Sequence, residues 1–256
     1  MQIDLNSDMG ESYGAYTIGA DDEVLRWVTS ANVACGWHGG DPSVMRRTIQ
    51  RAKELGVRVG AHPSYPDLLG FGRRVMQITR QEARDYILYQ IGALGAFAQA
   101  LGVRLQHVKP HGAIYNAAVK DRELSLGIAE GVADAGGDLV LVGLPGSELV
   151  KAGQEVGLRV AREAFGDRAY NEDGTLVSRK IAGSLITDPD AVAERVLGFT
   201  RGTVKAITGK EIRIEADTIC LHGDTPGAGA IARRVRQRLE AAGIAPRPLG
   251  DFVRCR

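Results

Sequence analysis

The 256-residue sequence has almost no excess of charge: Lys and Arg number 32 against 31 Asp and Glu, a formal net charge of +1 with histidine neutral. Without a basic field there is no long-range attraction for nucleic acid or an anionic membrane surface, so neither is expected as a partner, and a small molecule is. Cysteine is scarce as well. Cys35, Cys220 and Cys255 are an odd number, widely spaced and without a CxxC pair, which argues against a disulfide framework and a thiolate zinc site and fits a reducing compartment. The N-terminus, MQIDLNSDMGES, is acidic and polar where an export signal would be positively charged and then apolar. Apolar stretches such as 139–144 fall far short of the ~20 residues of a membrane helix. A soluble, cytoplasmic protein is the expectation.

Phosphate-binding signatures are missing too. There is no GxxxxGKS or GxxxxGKT loop, and GFGRR at 70–74 neither directly follows a strand-like run nor opens a helical one, so it is no dinucleotide fingerprint.

Against these absences stand 44% hydrophobic residues and 33 glycines, enough for a sizeable core with many tight turns. Seven short β-rich runs, at 2–6, 29–34, 58–61, 105–109, 138–142, 158–164 and 218–221, alternate with helical patterns. That alternation predicts parallel strands joined by crossover helices. Thr79 and Glu82 form a capping box before an apolar periodicity that Gly102 closes. Asp41-Pro42, Asp188-Pro189 and Thr225-Pro226 each place a cap residue before a first-turn proline, the last opening a helix over 226–242. Arg233, Arg234, Arg236 and Arg238 on that helix read as a solvated outer face. No linker or repeat interrupts the alternation, so 1–256 reads as a single α/β domain, a seven-stranded TIM-like (β/α) barrel.

In such barrels the active site lies at the C-terminal ends of the strands. Polar residues gather after six of the seven runs: Asp4, Asn6, Asp8 and Glu11; Asn32 and His38; His62; Lys109 and His111; Glu163, Asp167 and Arg168; His222 and Asp224. Period-two alternation puts Asp4, Asn6 and Asp8 on one strand face, and four of the five histidines fall at strand ends, which predicts one shared pocket. His107 and His111 would stand roughly 13 Å apart on an extended chain, too far to share an ion, so His107 reads as a lower barrel-layer residue. No ligand spacing diagnostic of a metal is present, and no tightly bound metal is expected. The open alternative is an ion held by carboxylates with His62, His111 or His222. Arg73 and Arg74 read equally as anion holders at the mouth or as solvated loop residues, and Cys35 as a packed residue or a nucleophile.

The segments DLNSDMGESYG (4–14), ANVACGWHGGDP (31–42), GAHPSYPD with GFGRR (60–74), VKPHGAIYN (108–116), EAFGDRAY with DGTLVSR (163–179) and ICLHGD (219–224) resemble the LamB/YcsF family, associated with the A component of 5-oxoprolinase. The family usually has phenylalanine and alanine where Trp37 and Gly39 stand, and alanine where Gly166 stands; no departure removes an ionisable group. The resemblance implies a barrel of the glycoside hydrolase/deacetylase type, although the deacetylases' paired-histidine metal motif is not reproduced. It also implies ATP-driven opening of the 5-oxoproline lactam to glutamate, with ATP and Mg2+ used by a complex with subunits B and C.

Lactam opening needs proton transfer, an activated carbonyl and donors for the developing oxyanion. Under this resemblance Asp8 or Glu11 with His62 would move protons, and Lys109 and His111 would polarise the carbonyl or hold phosphate. Asn6, Asn32, His38, Arg73, Glu163, Arg168, His222 and Asp224 are the candidate substrate contacts. A free-standing metal-dependent amidohydrolase or deacetylase, and a non-catalytic component that presents the ligand, are the alternative readings.

Overall fold

A computed structural model of the protein describes residues 2–178 and 180–254; Cys255 and Arg179, the last residue of the DGTLVSR segment, lie outside them. The strands are β1 (Asp4–Met9), β2 (Ser30–Ala34), β3 (Arg58–His62), β4 (Leu105–Val108), β5 (Val140–Gly143), β6 (Arg159–Phe165), a hairpin of β7 (Thr203–Lys205) and β8 (Glu211–Arg213), and β9 (Thr218–Cys220). Among the described residues β1 to β6 and β9 close a seven-stranded parallel barrel, in which β9 pairs with both β6 and β1. Each of the seven expected runs supplies one barrel strand. The β7–β8 hairpin, which pairs antiparallel outside the barrel, carries no expectation from the sequence.

β1 runs later than expected, because its parallel pairing with β2 continues from Asn6 opposite Ser30 to Met9 opposite Val33. Polar Asn6 and Asp8 look like a strand end in sequence, yet they are strand residues facing a polar interior.

The helices are α1 (Asp21–Val24), α2 (Pro42–Glu54), α3 (Arg80–Ala100), α4 (Gly112–Ala117), α5 (Arg122–Asp134), α6 (Glu148–Glu155), α7 (Pro189–Phe199) and α8 (Ala228–Ala241). Asp41 caps α2 by accepting from the amides of Ser43 and Val44, Thr79 and Glu82 form the capping box of α3, and Asp188 caps α7 through Ala191. The fourth expected cap is different. α8 starts only at Ala228, behind Gly227 in the left-handed region at φ 75°, and makes no side-chain cap bond. The Thr225 hydroxyl donates instead to Asp167 Oδ2, 3.0 Å away, so the site draws it away from the helix end. Of the arginines on α8, Arg234 and Arg238 pair with Asp190 and Glu194 of α7, and Arg236 with Glu240.

Aliphatic residues of strands and helices, among them Leu5, Val33, Val59, Ile87, Leu94, Ile128 and Ile219, fill the shell outside the barrel. A smaller cluster of Val140, Val142, Ala161, Leu249 and Val253 plugs part of its base. The plug is tied down by backbone donors, Arg247 N to Ile3 O at 2.9 Å and Gly250 N to the Gln106 side-chain oxygen at 3.0 Å. No helix among the described residues is long and apolar enough to cross a membrane.

Above the plug the barrel interior is polar. Asp4 accepts from Ser30 (2.6 Å), Thr29 (2.7 Å) and Thr218 (2.5 Å). Asn6 donates to Thr218 at 2.7 Å and accepts from Asn32 at 2.7 Å, while the Asn32 carbonyl oxygen lies 2.6 Å from His107 Nε2. His107 is thus a lower-layer residue. It fits because position 60 is glycine: a Cβ there would stand 2.2 Å from His107 Nε2.

Candidate active site

Lys109 is the hub between this layer and the mouth. Its Nζ lies 2.8 Å from both Asp8 Oδ1 and Glu163 Oε1, and 3.2 Å from Cys220 Sγ. Burial works against the ammonium, but Asp8, Cys220 and Glu163 hold its pKa well above the usual lysine range. Burial likewise opposes the Asp8 carboxylate, and the charges of His62 and Lys109 outweigh it, so Asp8 stays ionised far below its usual pKa. Tyr115 donates its hydroxyl to Glu163 Oε2 at 2.7 Å.

Beside this ion-paired floor, four strand ends bring a second group together. Glu11 follows β1, His38 follows β2, His62 ends β3 and His111 follows β4. His38 stacks on His111 at 3.7 Å between ring centroids, and His62 meets His111 edge-on at 4.9 Å. Burial, aided by the nearby His111, pushes His38 down to a pKa of about 3. Burial opposes ionisation of Glu11, yet the imidazoles of His111 and His38 beside it hold its pKa well below the usual range. One ligand atom from each of these four residues lies within 4.8 Å of the others.

The loop over this cluster is under backbone constraint. Phe71 is the one non-glycine residue among those described with a positive φ, 53°. That conformation turns its carbonyl to within 2.9 Å of His111 Nε2 and lays its ring edge-on to His38 and His111. Gly112 permits the approach from below, since a Cβ there would lie 2.7 Å from the Gly72 carbonyl oxygen. The amides of Gly70 and Arg74 turn to the Asp67 carboxylate, which also pairs with the Arg74 guanidinium. The loop's own acid thus holds those two amides and Arg74.

Across the mouth, His222 Nδ1 lies 2.8 Å from Asp167 Oδ1, and its ring stacks on Phe165. Burial disfavours the imidazolium, but Asp167 outweighs it and raises the His222 pKa.

A cavity of about 670 Å³ opens above these groups. Asp8, Glu11, His62, Lys109, His111, Arg73, Arg168, His222 and Asp224 line it, so most of the expected site residues do share one pocket. Arg73 reaches to 3.6 Å from Asp224, and Arg168 donates to the Val177 carbonyl oxygen at 2.7 Å. Four expected substrate contacts are not in the lining. Asn6 and Asn32 lie below, their amides engaged with each other, Thr218, Asp8 and His107. Glu163 is fully buried between Lys109 and Tyr115, and His38 is packed behind Glu11 and His111. All four are engaged by other side chains of the barrel. Cys35 is buried and donates to Val33 O, and burial pushes its thiol up to about 12, as for a packed residue.

Sequence reasoning missed Tyr115, Asn116, Phe165 and Ser178 in the lining, and Gln90, whose amide holds the backbone N–H and C=O of Ser64 in the loop after β3. Tyr115 and Phe165 lie within the quoted VKPHGAIYN and EAFGDRAY segments, the signal that could have found them. The expectation of a metal-free chain rested on absent ligand spacing. The four clustered donors come from four separate strand ends, so spacing in the sequence could not have revealed them.

A closed seven-stranded parallel barrel with an imidazole and carboxylate cavity at the strand C-termini defines a (β/α)-barrel protein of the deacetylase fold type. A family 4 carbohydrate esterase of Streptomyces lividans shares that fold alone, with a TM-score of 0.50 at 11% identity over 100% of this chain and 96% of that one. The chain belongs to the LamB/YcsF family, whose model matches residues 3–254. It is 56% identical to a Pyrococcus furiosus protein named as the A component of 5-oxoprolinase, across 99% of this chain and 100% of that one. A crystal structure of the lactam utilization protein from Thermus thermophilus superposes with a TM-score of 0.92 at 48% identity, covering 96% of this chain and 99% of that one.

Proposed function

We propose that this chain is the A component of an ATP-dependent 5-oxoprolinase, opening the lactam of 5-oxo-L-proline to L-glutamate in a cytoplasmic complex with subunits B and C. The observation that carries the reading is the near full-length similarity to proteins named as that component of 5-oxoprolinase. The cavity suits the chemistry. Arg73 at its rim and the buried Arg168 in its wall turn guanidinium groups to the space for the ligand carboxylate. Asp8, 3.3 Å from His62 Nε2, pairs a carboxylate with an imidazole for taking a proton from water. His222, its Nδ1 held by Asp167, stands across the mouth to return a proton to the leaving nitrogen. ATP and Mg2+ act at the level of the complex, activating the stable amide before water attacks.

Reconstitution tests this. Glutamate release is measured with this chain alone, with subunits B and C alone, and with all three plus ATP and magnesium. Only the full mixture should turn over, and His62→Ala or His111→Ala should lower its rate on the order of a hundredfold or more. Turnover by this chain without ATP would overturn the reading in favour of a self-sufficient amidohydrolase, the alternative that the cluster of three imidazoles and a carboxylate favours. Full activity of the partners without it would reduce it to an accessory role.

A further inference from the structure

The donor atoms of the histidine cluster face one another in a way that neutral rings cannot satisfy. His62 Nδ1 lies 2.6 Å from the Lys109 carbonyl oxygen, and His111 Nε2 lies 2.9 Å from that of Phe71. A carbonyl oxygen only accepts, so each of those nitrogens carries the ring proton. The two remaining nitrogens, His62 Nε2 and His111 Nδ1, then turn lone pairs toward each other across 3.1 Å. Carboxylates crowd the same point: Glu11 Oε1 is 3.2 Å from His111 Nδ1 and 4.0 Å from His62 Nε2, and Asp8 Oδ2 is 3.3 Å from His62 Nε2. His38 Nε2 adds a further donor 3.0 Å from Glu11 Oε1. A positive centre among them, a proton on one ring or a metal ion, removes the repulsion, and the convergence of four ligand atoms within 4.8 Å suits the ion.

The spacing says which kind of centre fits. Nitrogen and oxygen ligands about 2.0–2.1 Å from a tetrahedral ion stand about 3.3 Å from one another. The separations of 3.0, 3.1, 3.2 and 4.0 Å bracket that value. Three imidazoles with one carboxylate favour a borderline ion such as zinc over magnesium, which prefers oxygen donors and keeps its water. The carbonyls of Lys109 and Phe71 already do what the outer partners of metal-bound histidines do, fixing tautomer and ring orientation.

We propose that Glu11, His38, His62 and His111 bind one zinc-class divalent ion at the barrel mouth, on the wall of the cavity. Glu11, His62 and His111 line that cavity, so the ion is within reach of a small ligand. His38 is the weakest of the four donors. With its Nε2 lone pair given to the ion, its buried Nδ1–H has no protein acceptor among the described residues.

The site claims His62 Nε2, which the 5-oxoprolinase reading pairs with Asp8, so its test reads the metal directly rather than turnover. The chain, purified without a polyhistidine tag and stripped with chelator, is titrated with CoCl2 and then ZnCl2. The expected result is one Co2+ per chain, with the visible absorption of a four- or five-coordinate ion, displaced by stoichiometric Zn2+. Glu11→Gln, His62→Ala and His111→Ala should each weaken Zn2+ binding on the order of a hundredfold or more, His38→Ala less, and His222→Ala not measurably. Glu11→Gln is nearly isosteric, so it keeps the test valid should an alanine variant fail to fold. Absence of saturable Co2+ or Zn2+ binding by the folded chain, or an affinity that Glu11→Gln and His111→Ala leave unchanged, would overturn the proposal.

Discussion

The two polar layers stacked inside this barrel contain the same kinds of residue and are built for opposite ends. In the lower one Asp4, Asn6, Asn32, Thr218 and His107 are closed into a chain of hydrogen bonds that leaves the barrel interior matched. In the upper one His62 and His111 point ring nitrogens at each other beside Glu11, and the group opens onto a cavity. A buried polar residue is therefore no sign of function by itself. What separates the layers is whether the polar valences are spent inside the protein.

Lys109 sits on the border, and replacing it gives the largest expected effect on stability. Lys109→Met would leave the buried Glu163 and the cavity-facing Asp8 without their shared cation, a loss of about 3–5 kcal/mol. For a chain of this size that lowers Tm by roughly 10 °C or more. Differential scanning calorimetry checks it, and the deficit should shrink toward pH 5 as the orphaned carboxyls take up protons. A Tm near that of the parent protein would make Lys109 a mouth residue rather than part of the frame.

Asp4 sharpens the comparison from the other side. Burial pushes its carboxyl up to about 6, against the pull of hydrogen bonds from Ser30, Thr218 and Thr29. The folded state then holds a proton that the unfolded chain releases near 3.8. The stabilising contribution is fully present below about pH 4 and is lost as pH rises through 6. At about 1.4 kcal/mol per pH unit the loss is on the order of 3 kcal/mol. Asp4→Asn removes this titration. The stability of the parent relative to the variant should therefore fall by that amount between pH 4 and pH 7 in urea unfolding, with glutamate release by the reconstituted complex unchanged. A pH-independent difference would show that Asp4 does not titrate as its burial demands.

Much of the architecture was legible because strand and helix periods, caps and breakers act locally. The seven runs, the Thr79–Glu82 box and the placement of His107 beneath the mouth all follow from that. The structure departs from expectation where a distant partner decides. Asn6 and Asn32 read as ligand contacts because nothing nearby in sequence reveals that Thr218 and His107 engage them. Thr225 read as a helix cap because Asp167, 58 residues earlier, is its partner. The cluster of Glu11, His38, His62 and His111 escaped a spacing argument for the same reason, since barrel closure rather than one helix or hairpin sets its distances.

The smallest expected effect lies outside both layers, on the arginine face of α8. A run of four arginines could serve an anionic partner, but Arg234 is held at Asp190 and Arg238 at Glu194, so acids of the neighbouring α7 already answer two of the charges. Both members of the Arg234–Asp190 pair are well exposed, with side-chain accessibilities of 47% and 70%, and water screens most of their attraction. Arg234→Ala should therefore shift Tm by only about 1 °C or less and leave glutamate release by the reconstituted complex within about twofold of the parent. The shift should be smaller still at high salt, where the pair is screened in the parent as well. A large loss of turnover without a change in Tm would mean that this face docks a partner protein of the complex. The pairing with α7 would then be a resting arrangement that the complex replaces, and polarity matched within the chain would no longer mark a residue as structural.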